Sequence, residues 1–318
     1  MRSRAPGRPI AVIGCGAMGT LFGGLLASAG NEVWMVSRDC ARAAALERRG
    51  IRITGASRRQ VRVRATSEPR RVRDAGLAFV FVKAYDTAAA ARRAAQLLSP
   101  DGIAVTLQNG VGNVEALANV VGVDRVVGGS TAHGATLLAV GRVRHAGKGP
   151  TALAAPAGAT ADVAAVAQVL SAAGIATEAV DDLDALLWQK LILSAGINPI
   201  AAITRLRNGD LISVAGAAAL AQAAVAEAAA VAAARGVPIT PERAVANLRE
   251  VCRSTAKNVN SMLQDVLHHR RTEVEAINGV IVAEAERMRM AAPVNEFLLR
   301  AVRAIEGACP RQVRGTDL

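Results

Sequence analysis

The chain carries two periodicities that change over near residue 180. Before that point, apolar stretches of strand length alternate with longer helix-like segments. Residues 10–13 of "PIAVI" form a short apolar run. A helix-like run follows to Ala29, with Gly30 as its C′ cap, and a second strand passes through Val33, Met35 and Val36. A β-patterned pair comes next at 51–54 and 61–66, then the strand "LAFVFVK" ending at Lys83, a helix over about 86–98 and the strand "IAVTLQNG". From 125 to 180 the pattern gives further strands, including a hairpin through "LLAVGRVRHAG", one helix over about 159–173 and the strand "IATEAV". After "DDLD", where Asp181 or Asp182 is a candidate N-cap, the pattern is helical to the end. The helices predicted there cover 183–197, 199–204, 211–235, 241–256, 258–269, 272–290 and 294–308. "RGVPITPER" breaks them, with Pro241 at an N1 position after Thr240. This order predicts an α/β chain: a doubly wound sheet over residues 1–180 and an all-α domain over 181–318.

One helix departs from the usual two-faced pattern. "LLWQKLILSAGINPI", residues 186–200, is almost entirely apolar, yet Lys190, Ser194 and Asn198 recur at i, i+4 and i+8 and so share one narrow stripe. A solvent-facing helix shows a wide polar face, so a single stripe points to a cleft. The plain alternative is a snorkelling lysine beside incidental small polar residues. Asn198 precedes Pro199, which predicts a helix break there.

The first apolar run leads into G-x-G-x-x-G at Gly14, Gly16 and Gly19. Alone this motif is weak; here it sits between a strand and a helix inside a βαβ unit of about 30 residues, the context that a dinucleotide site requires. Gly14 permits the tight turn, Gly16 admits a pyrophosphate to the backbone N–H groups, and Gly19 allows helix and strand to pack closely. The helix N-terminus supplies the positive dipole end. The predicted cofactor loop is therefore Gly14, Cys15, Gly16, Ala17, Met18 and Gly19 in a Rossmann-like domain. At the end of the second strand the chain reads Ser37-Arg38-Asp39. Arg38 suits the 2′-phosphate of NADP(H), whereas Asp39 keeps NAD open. Lys83 and Asn109 both fall at carboxyl ends of strands, the edge where ligands sit in such sheets.

Composition narrows the partners. With 318 residues, 52% of them hydrophobic and 20% charged, the chain has material for two cores. A net charge of +12 raises the question of nucleic acid, but aromatic residues make up only 2% and no basic stretch interleaves stacking residues. The densest basic segment, Arg58 to Arg73, puts Arg62 and Arg64 in strand alternation around Val61 and Val63. It reads as a solvated strand face, with steering of small anions as the functional alternative. Cys15, Cys40, Cys252 and Cys309 lack ligand spacing, and His268 and His269 are adjacent, so no metal site is expected and the thiols suit a reducing cytoplasm. "MRSRAPGR" and the following apolar stretch imitate a secretory signal, but the glycines from Gly14 to Gly24 favour a phosphate-binding turn. The Ala-rich segment 211–234 reads as a buried helix rather than a membrane span, and is a candidate homodimer interface.

"GCGAMG", "VKAYD", "QNGVG", "LWQKLILSAGINPIAAI", "RNGDL" and "NVNSMLQDVLHHRRTEVEAINGVIV" together resemble the ketopantoate reductase (2-dehydropantoate 2-reductase) family, in order and spacing, from about Ile10 to about residue 300. The resemblance implies an NADPH-dependent reductase that makes (R)-pantoate for pantothenate and coenzyme A synthesis, and a helical second domain like the C-terminal domain of 6-phosphogluconate dehydrogenase. It implies that Lys190 is the catalytic lysine and Glu273 the acid that works with it. Asn198, Asn258 and Ser261 fall at substrate positions, Asn208 at a nearby polar one, Lys83 and Asn109 on the nicotinamide side, and Arg38 at the 2′-phosphate. Many members carry Asn where this chain has Ser194, which shortens one substrate-binding amide to a hydroxyl. The rivals are a related NADP-dependent 2-keto or hydroxy acid dehydrogenase on the same two-domain scaffold and a non-catalytic NADPH-binding regulator. Hydride delivery builds negative charge on a carbonyl oxygen, and Lys190 can polarise and protonate that oxygen if burial lowers its pKa.

Overall fold

The computed structural model describes residues 7–308, so Cys309 and the first six residues of the signal-like segment lie outside the described residues. The chain divides into two compact units, one of residues 1–108 and 112–186, the other of 109–111 and 187–318. The sequence pattern put the change at 180; the contact division falls a few residues later, between Leu186 and Leu187.

The first unit runs β1 (Ile10–Ile13), α1 (Ala17–Ser28), β2 (Val33–Val36), α2 (Cys40–Arg49), β3 (Ile51–Gly55), β4 (Arg59–Val61), β5 (Arg64–Thr66), β6 (Ala75–Val80), α3 (Thr87–Leu97), β7 (Leu98–Thr106), α4 (Asn113–Val121), β8 (Val126–Thr131), β9 (Gly134–Ala139), β10 (Arg142–Gly147), β11 (Thr151–Ala154), α5 (Val163–Ala172) and β12 (Thr177–Ala179). Eight strands form one sheet in the order β12-β11-β8-β7-β6-β1-β2-β5. Six of them, from β5 to β8, are parallel neighbours whose order reverses beside β1. That is the doubly wound Rossmann arrangement, with its switch point between β1 and β6. β1, β2 and β6 are buried at every position, which is why they read as unbroken apolar runs: parallel strands covered on both faces have no polar side to show.

A second sheet, β4-β3-β10-β9, was not read from the sequence. Its inward residues Ile51, Ile53 and Val143 join Leu21, Phe22, Leu25 and Leu26 of α1 and Val12, Met35 and Phe79 of the main sheet in one core. The predicted strand 61–66 divides accordingly: β4 pairs antiparallel with β3, whereas β5 pairs parallel with β2. The hairpin foreseen through "LLAVGRVRHAG" is present as β9 and β10. Two helices, α2 and α4, had no counterpart in the sequence reading.

The second unit is helical: most of α6 (Leu183–Thr204), then α7 (Ala215–Ala234), α8 (Pro241–Ser254), α9 (Ser261–Leu267), a π-helical turn at Glu275–Gly279, α10 (Val280–Arg287) and α11 (Pro293–Ala308). Capping follows the sequence. Asp182 Oδ1 accepts from the Ala185 N–H at 2.9 Å, and Thr240 Oγ1 from the Arg243 N–H at 3.2 Å with Pro241 behind it. The break predicted at Pro199 does not occur; α6 continues through it to Thr204. Proline at 199 has no N–H for the carbonyl of Ala195, four residues back. Asn278 in the π-helical turn supplies the donor instead, its Nδ2 reaching Ala195 O at 3.1 Å. The same Nδ2 donates to Asn295 Oδ1 at 3.0 Å, and Asn295 in turn donates to Ala224 O at 3.1 Å and to Glu227 at 2.6 Å. One fully buried amide network therefore ties α6, the π-helical turn, α11 and α7 together.

α6 and α7 are both long and apolar enough to cross a membrane by length and composition. Both also bury core faces within the second unit, through Leu191, Ile192, Ala195 and Ile200 on α6 and Ala221, Ala224, Val225, Ala228 and Val231 on α7.

Candidate active site

The residues singled out from the sequence fall into two groups, one in each unit.

In the first unit, the glycine turn follows β1 directly. Gly14 has φ +105°, and a Cβ there would stand 2.8 Å from the backbone of Phe81, the residue after β6. A Cβ on Gly19 would stand 1.9 Å from the carbonyl oxygen of Gly14, so α1 can begin against the turn only without a side chain there. Gly16 is the opposite case. It caps α1 with no side-chain hydrogen bond, and a Cβ there would meet nothing within 4 Å. Open space in front of uncapped N–H groups at the start of a 12-residue helix fits the pyrophosphate of a dinucleotide. Cys15 is buried, and burial pushes its thiol up to about 12, so it is a neutral filler of the turn. Ala17 and Met18 open the first turn of α1.

Beyond β2, the residues that would read the ribose have separate tasks. Asp39 is the N-cap of α2, its Oδ1 accepting from the Arg42 N–H at 3.1 Å. Arg38 is exposed and forms an ion pair with Asp86 at 3.2 Å. Arg42, which the sequence reading passed over, donates to the carbonyl of Cys15 at 3.2 Å and so binds α2 to the glycine turn. The signal for it was Asp39 as a helix cap, a role the ribose reading of that residue obscured. Lys83 follows β6 at the switch point and precedes the short turn Ala84–Asp86. Gln108 was also missed as a side chain, although its motif was noted. It is buried, donates to Val82 O and Thr87 Oγ1 at 2.8 Å each, and accepts from Thr106 Oγ1 at 2.9 Å. It thereby fixes the end of β6 beside Lys83.

In the second unit, the unbroken α6 keeps Lys190, Ser194 and Asn198 in line. Burial lowers the Lys190 ammonium to about 8, and the nearby Glu273 carboxylate pulls in the opposite direction without cancelling it. Lysine at 190 and glutamate at 273 are far apart in sequence, so their proximity is a product of the fold. Asn198 and Glu273 are themselves buried. Asn109–Val111 count with this unit, and a Cβ on Gly110 would stand 2.4 Å from Ala276 O, so the Asn109 loop lies against the segment that carries Glu273 and Asn278. Asn258 precedes α9, and Ser261 is its first residue after the N-cap Asn260. Asn208, expected at a polar position near the substrate, is buried and held by two hydrogen bonds. Its Nδ2 donates to Thr255 Oγ1 at 2.9 Å, and its backbone N–H to Asn258 O at 3.1 Å. The Asn208 amide thus shapes the loop that presents Asn258.

Two halves of the chain match two halves of one family: "Ketopantoate reductase PanE/ApbA" over residues 10–158, and its C-terminal counterpart over residues 182–306. The chain belongs to the ketopantoate reductase family. It is 38% identical to the 2-dehydropantoate 2-reductase of Archaeoglobus fulgidus, over 93% of this chain and 97% of that one. A crystal structure of a PanE/ApbA family ketopantoate reductase from Ralstonia eutropha JMP134 superposes with a TM-score of 0.85 at 31% identity, covering 95% of this chain and 100% of that one. The fold is not confined to the family's namesake: a D-mandelate dehydrogenase solved with NADH has a TM-score of 0.88 at 24% identity, over 95% of this chain and 99% of that one.

Proposed function

We propose that the protein reduces ketopantoate to (R)-pantoate with NADPH, in the cytoplasmic route to pantothenate and coenzyme A. Family membership supports the reaction, and the observation that carries the mechanism is the half-buried Lys190, in line with Ser194 and Asn198 on an otherwise apolar α6 and close enough to Glu273 for that carboxylate to oppose the lowering of its ammonium by burial. NADPH, when bound, supplies the hydride. Gly14, Gly16 and Gly19 with the start of α1 hold its pyrophosphate, Arg38 its 2′-phosphate, and Lys83 and Asn109 its nicotinamide side. Lys190 hydrogen-bonds the keto oxygen, stabilises the charge that develops there and donates the proton that completes the alcohol. A lysine near 8 is still mostly protonated at neutral pH but gives up its proton more readily than an exposed one, which suits a general acid. Glu273 keeps the ammonium oriented and charged. Ser194, Asn198, Asn258 and Ser261 bind the carboxylate and hydroxyl of the substrate, and groups placed for a hydroxyl discriminate against acids lacking one. The free cysteines Cys15, Cys40 and Cys252 suit the reducing cytoplasm.

A second reading, reduction of a different 2-keto acid on the same scaffold, draws on Ser194, a hydroxyl where many family members have an amide. NADPH oxidation measured with ketopantoate beside a panel of 2-keto acids decides between them. The expected result is a kcat/KM for ketopantoate at least tenfold above any acid without the hydroxyl, by the discrimination that buried hydroxyl-binding groups give. Equal or higher efficiency on another acid would displace the first reading.

A further inference from the structure

The site for the cofactor's 2′-phosphate contains an acid as well as a base. Arg38 Nη1 lies 3.2 Å from Asp86 Oδ2, and both side chains keep exposed surface, 73% and 32%. Asp86 is the N-cap of α3, a position that aspartate commonly fills by accepting a hydrogen bond from its own helix. Here its side chain makes no such bond, and its carboxylate lies against Arg38 instead. Asp39, next to Arg38 in the chain, is engaged in capping α2. Arg42 is turned to the Cys15 carbonyl. A phosphate arriving at Arg38 therefore meets a guanidinium that already has an anionic partner, and that partner remains beside it as a like charge. A ribose bearing a free 2′-hydroxyl meets no such repulsion and finds in Asp86 an acceptor.

We propose that Asp86 is a specificity-determining residue that competes with the 2′-phosphate for Arg38, holding the preference for NADPH over NADH below what Arg38 alone would give. The proposal rests on the cofactor reading above and concerns the adenosine end only. Its test is the binding affinity of NADPH and of NADH, measured separately by calorimetry on the full chain and on the Asp86→Asn and Asp86→Ser variants, both of which retain a side chain able to cap α3.

Removing the charge is expected to tighten NADPH about three- to tenfold, the range for one exposed charge pair reinforced by hydrogen bonding, and to leave NADH within about twofold. An unchanged ratio of the two affinities, or weaker NADPH binding in both variants, overturns the role of Asp86 while leaving the cofactor reading intact. If neither dinucleotide binds the wild-type chain, the cofactor reading itself fails and the proposal falls with it.

Discussion

The two units use their residues in opposite ways. Around the glycine turn the essential features are places where a side chain is missing: a Cβ on Gly19 would collide with the Gly14 carbonyl, and the space before Gly16 is open. Around Lys190 the essential features are side chains: Ser194 and Asn198 in line with it on α6, and the Glu273 carboxylate, which comes from far along the sequence. Chemistry that depends on backbone N–H groups can be written in one short stretch of chain. Chemistry that depends on a cation and an acid at controlled proximity needs a tertiary structure to bring them together. The first unit should therefore be sensitive to atoms added, and the second to atoms removed.

The largest effect is expected from removing the lysine. Lys190→Ala should lower kcat by about 10²- to 10⁴-fold, the usual contribution of a positioned general acid, with NADPH affinity within about threefold of wild type. Wild-type-like turnover would show that the proton comes from elsewhere. In the unaltered chain the acid must be protonated to act, so kcat should decline as pH rises through about 8. A flat profile through that region would detach the depressed lysine from the chemistry.

The converse experiment adds one methyl group. Gly19→Ala puts a Cβ where the Gly14 carbonyl oxygen stands 1.9 Å away, so either the turn or the start of α1 must move. Overpacking of this kind costs about 1–3 kcal/mol, and here the displaced atoms are the ones that would hold the pyrophosphate. NADPH binding should weaken by roughly ten- to a hundredfold, a range that follows from that energy. Binding as tight as in the wild type would mean that the turn tolerates the shift and that the backbone account of the first unit is too strict.

The contrast also explains what the sequence disclosed. The glycine motif, the strand runs of the parallel sheet and the caps Asp182 and Thr240 are local, and each was legible in a few residues. The stripe on α6 was legible because helical spacing is local too. The expected pairing of Lys190 with Glu273 comes from the family resemblance, since nothing in the spacing joins residues so distant. The second sheet was invisible for a similar reason: β3 pairs with β10, some 90 positions later in the register Arg52↔Arg142, and no local pattern announces such a partner. α2 and α4 are short, 10 and 9 residues, and each presents only a narrow buried face, Ala43 and Leu46 in α2 and Val114, Leu117 and Val121 in α4, so neither stands out between its flanking strands. Pro199 misled because the rule that proline ends a helix assumes an unsatisfied carbonyl, and Asn278 satisfies it.

Asn278 sharpens the comparison further, because in it a side chain does the work of the backbone. Asn278→Ala leaves both the Ala195 carbonyl and the Asn295 Oδ1 without this buried donor. Each buried group left unpaired costs about 1–3 kcal/mol, so unfolding measured by denaturant should show a loss of about 2–6 kcal/mol. If α6 bends at Pro199 as a result, the KM for the keto acid should rise while the affinity for NADPH stays constant. A stability loss with unchanged KM would confine the network to holding the fold.

The smallest effect belongs to the first unit and rests on a pair of side chains. His133 Nδ1 and His145 Nε2 are 2.9 Å apart, both rings are buried, and His145 Nδ1 faces Ser57 Oγ at 3.0 Å. Burial first, then the neighbouring charges of His145 and Lys148, lower His133 to about 4; burial and Lys148 lower His145 as well. An unfolded chain titrates its histidines near 6.5, so between about 6.5 and 4 the unfolded state binds more protons than the folded one. Stability contributed by the neutral pair is therefore fully present above about 6.5 and is lost as pH falls towards 4, by on the order of 1–2 kcal/mol after solvent screening. Thermal melts of the wild type and of His133→Leu at pH 7.5 and pH 5, two points chosen about this window, should show a larger drop in Tm for the wild type. Parallel drops would assign the acid sensitivity to carboxylates and leave the His133–His145 pair without a part in it.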